Sequence, residues 1–328
     1  MNRIHGWFAI GLVLAAAGAG ADESTLRMRI VAGNGWAGYH VAMIPGAGAP
    51  CCYSGGRGAV KKSECDLDTR NGSFVSDDSV PIRSGDLSIY WHTSNGKLDQ
   101  IKAFAADCPV RSLEAIRWID PVDPKDSVAS TLAWIESAGT YRDSMELAAL
   151  ALQADPSAST ALIALTAPEK STEMRKDAIF WLSHVRGTDG ADFVGKIALN
   201  DPTIEIREHA VFSLSQSHAK NSYERIREIS REDDSPEVRG KALFWMAQMQ
   251  DPRAAADIDA ALTTDISEEV REQAVFALSQ LGDGKAAPAL IAVVRGNHPR
   301  SVKEKALFWL GQSESEEAIA FLDEVLTK

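Results

Sequence analysis

A 32-residue period runs through the C-terminal half of the chain and limits what it can fold into. On that period Ala178, Ala210, Ala242, Ala274 and Ala306 fall in one column, and Phe180, Phe212, Phe244, Phe276 and Phe308 in another. A third column is basic: Arg175, Arg207, Arg239, Arg271 and Lys303. Self-similarity at this interval marks a stack of supersecondary units, none able to bury its apolar face without its neighbours.

Each unit reads as two helices. The first carries blocks such as Ala210-Val211-Phe212-Ser213-Leu214, apolar on nearly every side, which predicts a helix packed between neighbours. The second carries the columns Val194, Ile226, Ile258, Leu290, Leu322 and Ile197, Ile229, Ala261, Val293, Val325. Their offset of three residues places both on one helical face. Thr203, Ser235 and Ser267 precede Glu205, Glu237 and Glu269, a hydroxyl cap followed by an acid in the first turn. Regular units begin near Glu169, Asp201, Asp233, Asp265 and Asn297.

An acidic residue stands six positions before the basic one: Asp201 with Arg207, Asp233 with Arg239, Asp265 with Arg271. With the Ala and Phe columns, this resembles the HEAT-repeat family, particularly its short-repeat branch related to phycobilisome lyase repeats. The resemblance implies an all-α HEAT-like α-solenoid over residues 169–328, and a ladder between successive units made by those six residues. Glu169 with Arg175 fits with a longer acid, whereas Asn297 with Lys303 departs from the pattern, so a weaker ladder is expected at the last unit. Residues 111–168 are expected to form a linker and irregular first repeats, with helices over Asp126–Glu136 and Ser144–Leu152 after the Asp120-Pro121 and Asp123-Pro124 breaks.

The N-terminal third follows a different grammar. Arg3 and His5 precede an apolar run from Trp7 to Ala17 and the small residues Ala19-Gly20-Ala21. That is the pattern of a secretory signal peptide over residues 1–21, cut before Asp22. The run is too short to span the roughly 30 Å hydrocarbon layer as a helix, so no stable membrane insertion is expected. Residues 22–110 read as a small β-rich domain, with short segments such as Leu26–Val31 and Leu87–His92 between Gly, Pro and Asn clusters. Asn95-Gly96 between Leu87–His92 and Leu98–Ala105 predicts a tight hairpin, since both turn residues tolerate positive φ. Cys51, Cys52, Cys65 and Cys108 all lie here. An even count in one exported segment reads as a disulfide framework, with Cys51 and Cys52 each expected to pair outwards, with Cys65 and Cys108. A metal site is the alternative, but the spacing lacks a second C-x-x-C pair or nearby paired His. The localisation that follows is periplasmic or secreted.

Net charge is −12, nearly all of it beyond residue 110. An acidic surface repels phosphate backbones and argues against nucleic acid. It favours a protein partner that is basic or extended.

Several residues are candidate sites or packing positions. Trp181, Trp245 and Trp309 read as packing, because tryptophans two units apart lie roughly 16–20 Å from each other at ordinary helix spacing. The column Gln216, Gln248, Gln280 and Gln312, headed by His184, reads as amides satisfying loop carbonyls between units, with a polar strip facing a partner as the alternative. The Phe column is expected in the core, with Phe276→Ala costing roughly 3–5 kcal/mol. Arg227 and Arg295, on the second helices, are candidate partner contacts if those helices line the concave face. Trp91, with Trp36 and Tyr39, is the candidate for a glycan-binding alternative in the β domain, although the core is the preferred place for all three. An enzyme of lyase or oxidoreductase type, using His92, Tyr90 or a reactive Cys, is the other alternative. Repeated His-Glu pairs, which hold a di-iron centre in one HEAT-type enzyme, are absent: Glu208-His209 is reversed and its column continues as Lys241, Gln273 and Lys305. No cofactor is implied. The reading is an exported HEAT-repeat scaffold or adaptor for a protein partner; the HEAT resemblance implies no single activity, and the plan shared with several exported proteins of bacterial envelope-stress signalling tilts it towards a sensing or adaptor role.

Overall fold

The computed structural model describes residues 25–48, 51–54, 61–69, 85–137, 144–282 and 284–327. The signal-peptide reading of residues 1–21 lies outside the described residues.

The chain enters through a helix, α1 (Thr25–Val31), where a strand was expected. Apolar Leu26, Met28 and Ile30 alternate with Arg27 and Arg29, so a segment this short fits both periods. Burial decides between them: Leu26 and Ile30, one helical turn apart, are buried, whereas Met28 is exposed.

Strands β1 (Gly35–Ala42), β2 (Cys52–Ser54), β3 (Lys61–Ser63), β4 (Cys65–Asp66), β5 (Asp86–Ser94), β6 (Lys97–Ala105), β7 (Val110–Arg111) and β8 (Arg117–Trp118) follow. The main sheet has the order β6-β5-β1-β8, with β6/β5 and β5/β1 antiparallel and β1/β8 parallel. The short pairs β2/β3 and β4/β7 stand apart. The β5–β6 hairpin turns at Asn95 and Gly96, with φ of 52° and 71°, the left-handed values that this dipeptide accepts cheaply.

Both faces of the sheet are covered, and alternation along β5 sorts the side chains. Leu87, Ile89 and Trp91 point into the main core, while Tyr90 joins Trp36, Leu67, Phe104 and the cysteines in a second, smaller one. Trp91 is fully buried, donates from Nε1 to Tyr39 Oη at 3.2 Å and meets Trp134 edge-on. Trp91 is therefore corrected from a candidate partner contact to a core residue. Trp36 and Tyr39 are buried likewise, which removes the aromatic surface that the glycan-binding alternative needed.

Helices α2 (Pro124–Ser137), α3 (Ser144–Ala151) and α4 (Ser157–Leu165) join sheet to array. Pro124 opens α2 instead of breaking it, as the first helical position allows. Tyr39 Oη bonds Ser127 Oγ of α2 at 2.9 Å, and α3 packs on β6. One continuous core thus runs from Leu26 to Phe321.

The regular units are helix pairs: α5 (Thr172–Val185) with α6 (Gly187–Asn200), α7 (Ile204–Ser215) with α8 (Ser222–Glu232), α9 (Pro236–Gln248) with α10 (Ala254–Thr264), α11 (Glu268–Ser279) with α12 (Ala286–Arg295), and α13 (Arg300–Gly311) with α14 (Glu316–Leu326). Ser171, Ser235 and Ser267 cap first helices through their hydroxyls; Thr203 makes no such bond.

The two helical layers are unequally spaced. The first helices pack directly on one another along the whole row, α5 on α7, α7 on α9, α9 on α11 and α11 on α13. In the second layer α6 meets α8 and α12 meets α14, while α10 scarcely touches α8 or α12. Gly240 marks how close the first helices come: a Cβ there would lie 2.9 Å from Gln273 Cγ. Where two joined layers differ in spacing, the array bends towards the tighter one. The first helices therefore line the concave side, which corrects the expectation that the second helices do.

Candidate partner-binding face

The ladder is built between units. Arg207 Nε and Nη2 donate to Asp233 Oδ2 and Oδ1 at 2.8 and 3.0 Å, and Arg239 repeats this on Asp265 at 2.7 and 2.9 Å. Arg175 pairs with Asp201 through Nη2 alone, its Nε donating instead to the Thr166 carbonyl at 2.9 Å. The three later arginines also donate to a main-chain carbonyl six residues earlier: Arg207 to Asp201, Arg239 to Asp233 and Arg271 to Asp265, at 2.8–2.9 Å. Each Asp in turn accepts from the N–H two residues on, at Thr203, Ser235 and Ser267. One guanidinium thereby ties its own turn to the next unit. At the array's end Asn297 replaces the acid, and the buried Nε of Arg271 finds no acceptor among the described residues.

The Phe column lies elsewhere than expected. Ala178 and Leu182 of α5, with Ile179, turn into the core, and their equivalents repeat this in later units. Phe180 is one residue past Ile179 and two past Ala178, so a 100° step per residue carries it off the buried arc. Phe180, Phe212, Phe244 and Phe276 are only half-buried and Phe308 is 54% exposed. This corrects the core assignment of the column.

On the inner face the phenylalanines and tryptophans form one aromatic ribbon. Phe180 stacks on Phe212 with centroids 6.4 Å apart, and Phe212 meets Trp245 at 5.1 Å. Trp245 touches Phe244 at 5.0 Å, which stacks on Phe276 at 5.8 Å and 4° between planes. Phe276 meets Trp309 at 5.0 Å, and Trp309 meets Phe308 at 5.2 Å. The intervening phenylalanines link tryptophans that alone would be too far apart. Contacts of this geometry contribute about 0.5–1.5 kcal/mol each beyond area burial.

Rows of polar residues border the ribbon. One turn C-terminal to the Phe column, Gln216, Gln248 and Gln312 are exposed and Gln280 is half-buried. Gln216 and Gln280 donate to their neighbours Ser215 and Ser279 at 3.0 and 3.1 Å, not to loop carbonyls of the next unit. His184, at the head of the column, does pair with the Gln216 carbonyl of the next unit at 3.3 Å, as the structural assignment expects; the glutamines themselves form a polar strip, which corrects that assignment for them. Two turns N-terminal to the Phe column stand Glu173, Glu205, Glu237 and Glu269, all exposed. Lys176 is held above its usual pKa chiefly by its bond to Glu205 at 2.5 Å. Glu208, half-buried, is pushed up by burial and then by Glu237.

The other singled-out residues fall outside this face. Arg227 bonds Asp257 at 2.7 Å and Arg295 bonds Glu324 at 3.3 Å, both in the second-helix layer. In the N-terminal part the bridges are Cys51–Cys108 and Cys52–Cys65, and Cys65 Sγ lies 3.6 Å from Cys108 Sγ. The sulfurs of Cys51, Cys65 and Cys108 lie within 4.8 Å of one another, but as bridged sulfurs they are not thiolate ligands. Tyr90 is buried, and burial holds its hydroxyl above the usual range. His92 bonds Asp99 at 2.6 Å. No helix among the described residues is long and apolar enough to cross a membrane.

Two layers of paired helices, an inter-unit ladder and an inner aromatic row define a repeat protein of the helical-solenoid class. The family profile for HEAT repeats matches residues 223–310 and 260–328. The chain is a small N-terminal sheet followed by a HEAT-like array of helices, with HEAT repeats matched over its C-terminal third. A search of curated proteins finds no match to it. Among solved structures, human deoxyhypusine hydroxylase in complex with glycerol is similar at 18% identity and TM-score 0.27, covering 62% of this chain and 85% of that one. The CpcE–CpcF complex of phycocyanin lyase from Nostoc sp. PCC7120 is similar at 16% identity and TM-score 0.30, covering 62% and 94%. Likeness at this level carries no argument about activity.

Proposed function

We propose that the protein is an exported scaffold or adaptor, periplasmic or secreted, that holds a protein partner along the inner face of its repeats. The observation that carries this reading is the aromatic ribbon from Phe180 to Phe308: half-exposed rings from five successive units meet on the tighter layer. Contiguous exposed apolar surface rimmed by polar residues is the mark of an interaction site. Export is supported by the signal pattern and by four cysteines joined in two bridges. Envelope-stress signalling is the setting we assign to it, on the plan shared with exported proteins of that kind alone.

Photo-crosslinking in cells tests the scaffold. A photoreactive residue at Gln248, beside the ribbon, should capture a specific protein that the same residue at Arg227, on the outer layer, does not. Equal capture from both positions, or only abundant bystanders, would overturn the reading. Fractionation should place the mature chain outside the cytoplasm with its N-terminus at Asp22.

A further inference from the structure

The scaffold reading leaves the partner's chemistry open, and the inner face narrows it. We infer that the ribbon binds an extended peptide segment bearing Lys or Arg side chains, its main chain held by the Gln row and its cations seated between aromatic rings and the Glu row. The inference rests on the scaffold reading.

Three features of the face converge on that occupant. The first is register. Neighbouring helices lie about 8–10 Å apart, and three residues of extended chain span about 10 Å. A strand lying across the inner helices therefore meets each unit at every third residue, in step with Gln216, Gln248, Gln280 and Gln312. A primary amide offers both a donor and an acceptor, the pair that a peptide unit requires.

The second is ring chemistry. Phe276, Trp309 and Phe308 present half-exposed rings, and the face of an aromatic ring attracts a cation, most strongly for Trp. The aliphatic stem of a Lys or Arg covers apolar surface while its charge stays wet.

The third is charge. Glu173, Glu237 and Glu269 stand exposed in one row along the same face, with Glu205 in that row already paired to Lys176. Lys176 and Lys305, the nearest cations, are occupied by Glu205 and Glu272 at 2.5 and 3.1 Å. Lys241, in the same column as Lys305, is exposed. Carboxylates outnumber lysines across the face, and the chain as a whole carries −12. An acidic partner, a nucleic acid or an anionic lipid surface meets repulsion here.

The test uses the mature chain and fluorescein-labelled 15-residue peptides with no helical or turn-forming bias. One carries Arg at every third position, a second Glu at the same places, and a third Gln. By fluorescence anisotropy at low salt, the Arg peptide should bind at least tenfold more tightly than the Gln peptide, and the Glu peptide should not bind. Trp309→Ala, Gln248→Ala and the exposed Phe308→Ser should each weaken the Arg peptide severalfold; Arg227→Ala should not. Phe308→Ser guards against loss by unfolding, because its ring lies outermost. Binding of Arg and Glu peptides alike, or binding unmoved by all three inner-face variants, overturns the inference. So does a concentration-dependent dimer abolished by Phe308→Ser, which would make a second copy the occupant. If crosslinking at Gln248 captures a partner that lacks basic extended segments, this inference fails while the scaffold reading stands.

Discussion

Arg239 and Asp265 face each other across the boundary between two units, with two bonds of 2.7 and 2.9 Å and both side chains about nine-tenths buried. Burial works against the charge on Asp265, and the bond from Arg239 overrides it, so its pKa lies below the usual carboxylate range. A carboxyl with a lowered native pKa binds its proton more tightly in the unfolded chain. The stability it supplies is present above its unfolded pKa and lost as pH falls through the native one.

Removing one partner strands the other. Asp265→Ala should cost about 3 kcal/mol, the scale for breaking a buried pair, read from the urea midpoint at pH 7. Most of that cost should vanish at low pH, where Asp265 is already protonated. A loss independent of pH would mean that the carboxylate does not act through its charge. Arg239→Lys should recover little, because an ammonium cannot make the two parallel bonds and reach the Asp233 carbonyl together.

The last unit offers the converse experiment. Arg271 keeps its bond to the Asp265 carbonyl at 2.8 Å, but its Nε has no acceptor among the described residues and Asn297 stands where the earlier units carry Asp. Asn297→Asp should raise stability by about 1 kcal/mol, the net scale of a charge-assisted bond. The gain should disappear in an Arg271→Gln background. A gain that persists there would come from charge at the helix start instead.

What was legible in the sequence, and what was not, divides along a physical line. The period, the hairpin at Asn95-Gly96 and the Asp–Arg spacing follow from local geometry, which repeats or turns regardless of what lies beyond. The face of the Phe column did not follow from its repetition. Columns repeat equally well whether they point inwards or outwards, and only the helical step from Ala178 and Ile179 separates them. The concave side needed the spacing between layers, which one unit's sequence does not carry. Trp91 looked available because an aromatic in a hairpin can face either way; helices α2 and α3 covering that side of the sheet decided it.

The half-burial of the Phe column lowers the cost of truncating it. Phe276→Ala should lose about 1–2 kcal/mol, well under the roughly 3–5 kcal/mol of a core aromatic. Leu243→Ala, nearly fully buried in the adjacent unit, should lose more, about 2–5 kcal/mol. Denaturant curves of the two variants check the order. If Phe276→Ala proves the costlier, the ribbon is a structural spine and not a free surface.

Glu208 supplies the opposite pH signature to Asp265. It is half-buried, Oε1 has no hydrogen-bond partner among the described residues, and burial followed by Glu237 holds its carboxyl above the usual range, with Lys241 opposing. Here the native state binds the proton more tightly than the unfolded chain does. Stability therefore falls as pH rises from the unfolded pKa through the native one, and the deficit persists at neutral pH. Glu208→Gln removes the charge while keeping the shape. It should raise stability at pH 7 by about 0.5–1 kcal/mol, the scale of a single partly exposed charge interaction, and change little at a pH where Glu208 is already protonated. Urea midpoints of both proteins at pH 7 and near pH 4 separate the cases. An equal offset at both pH values would mean that the substitution acts through packing, and that Glu208 carries no charge penalty on the inner face.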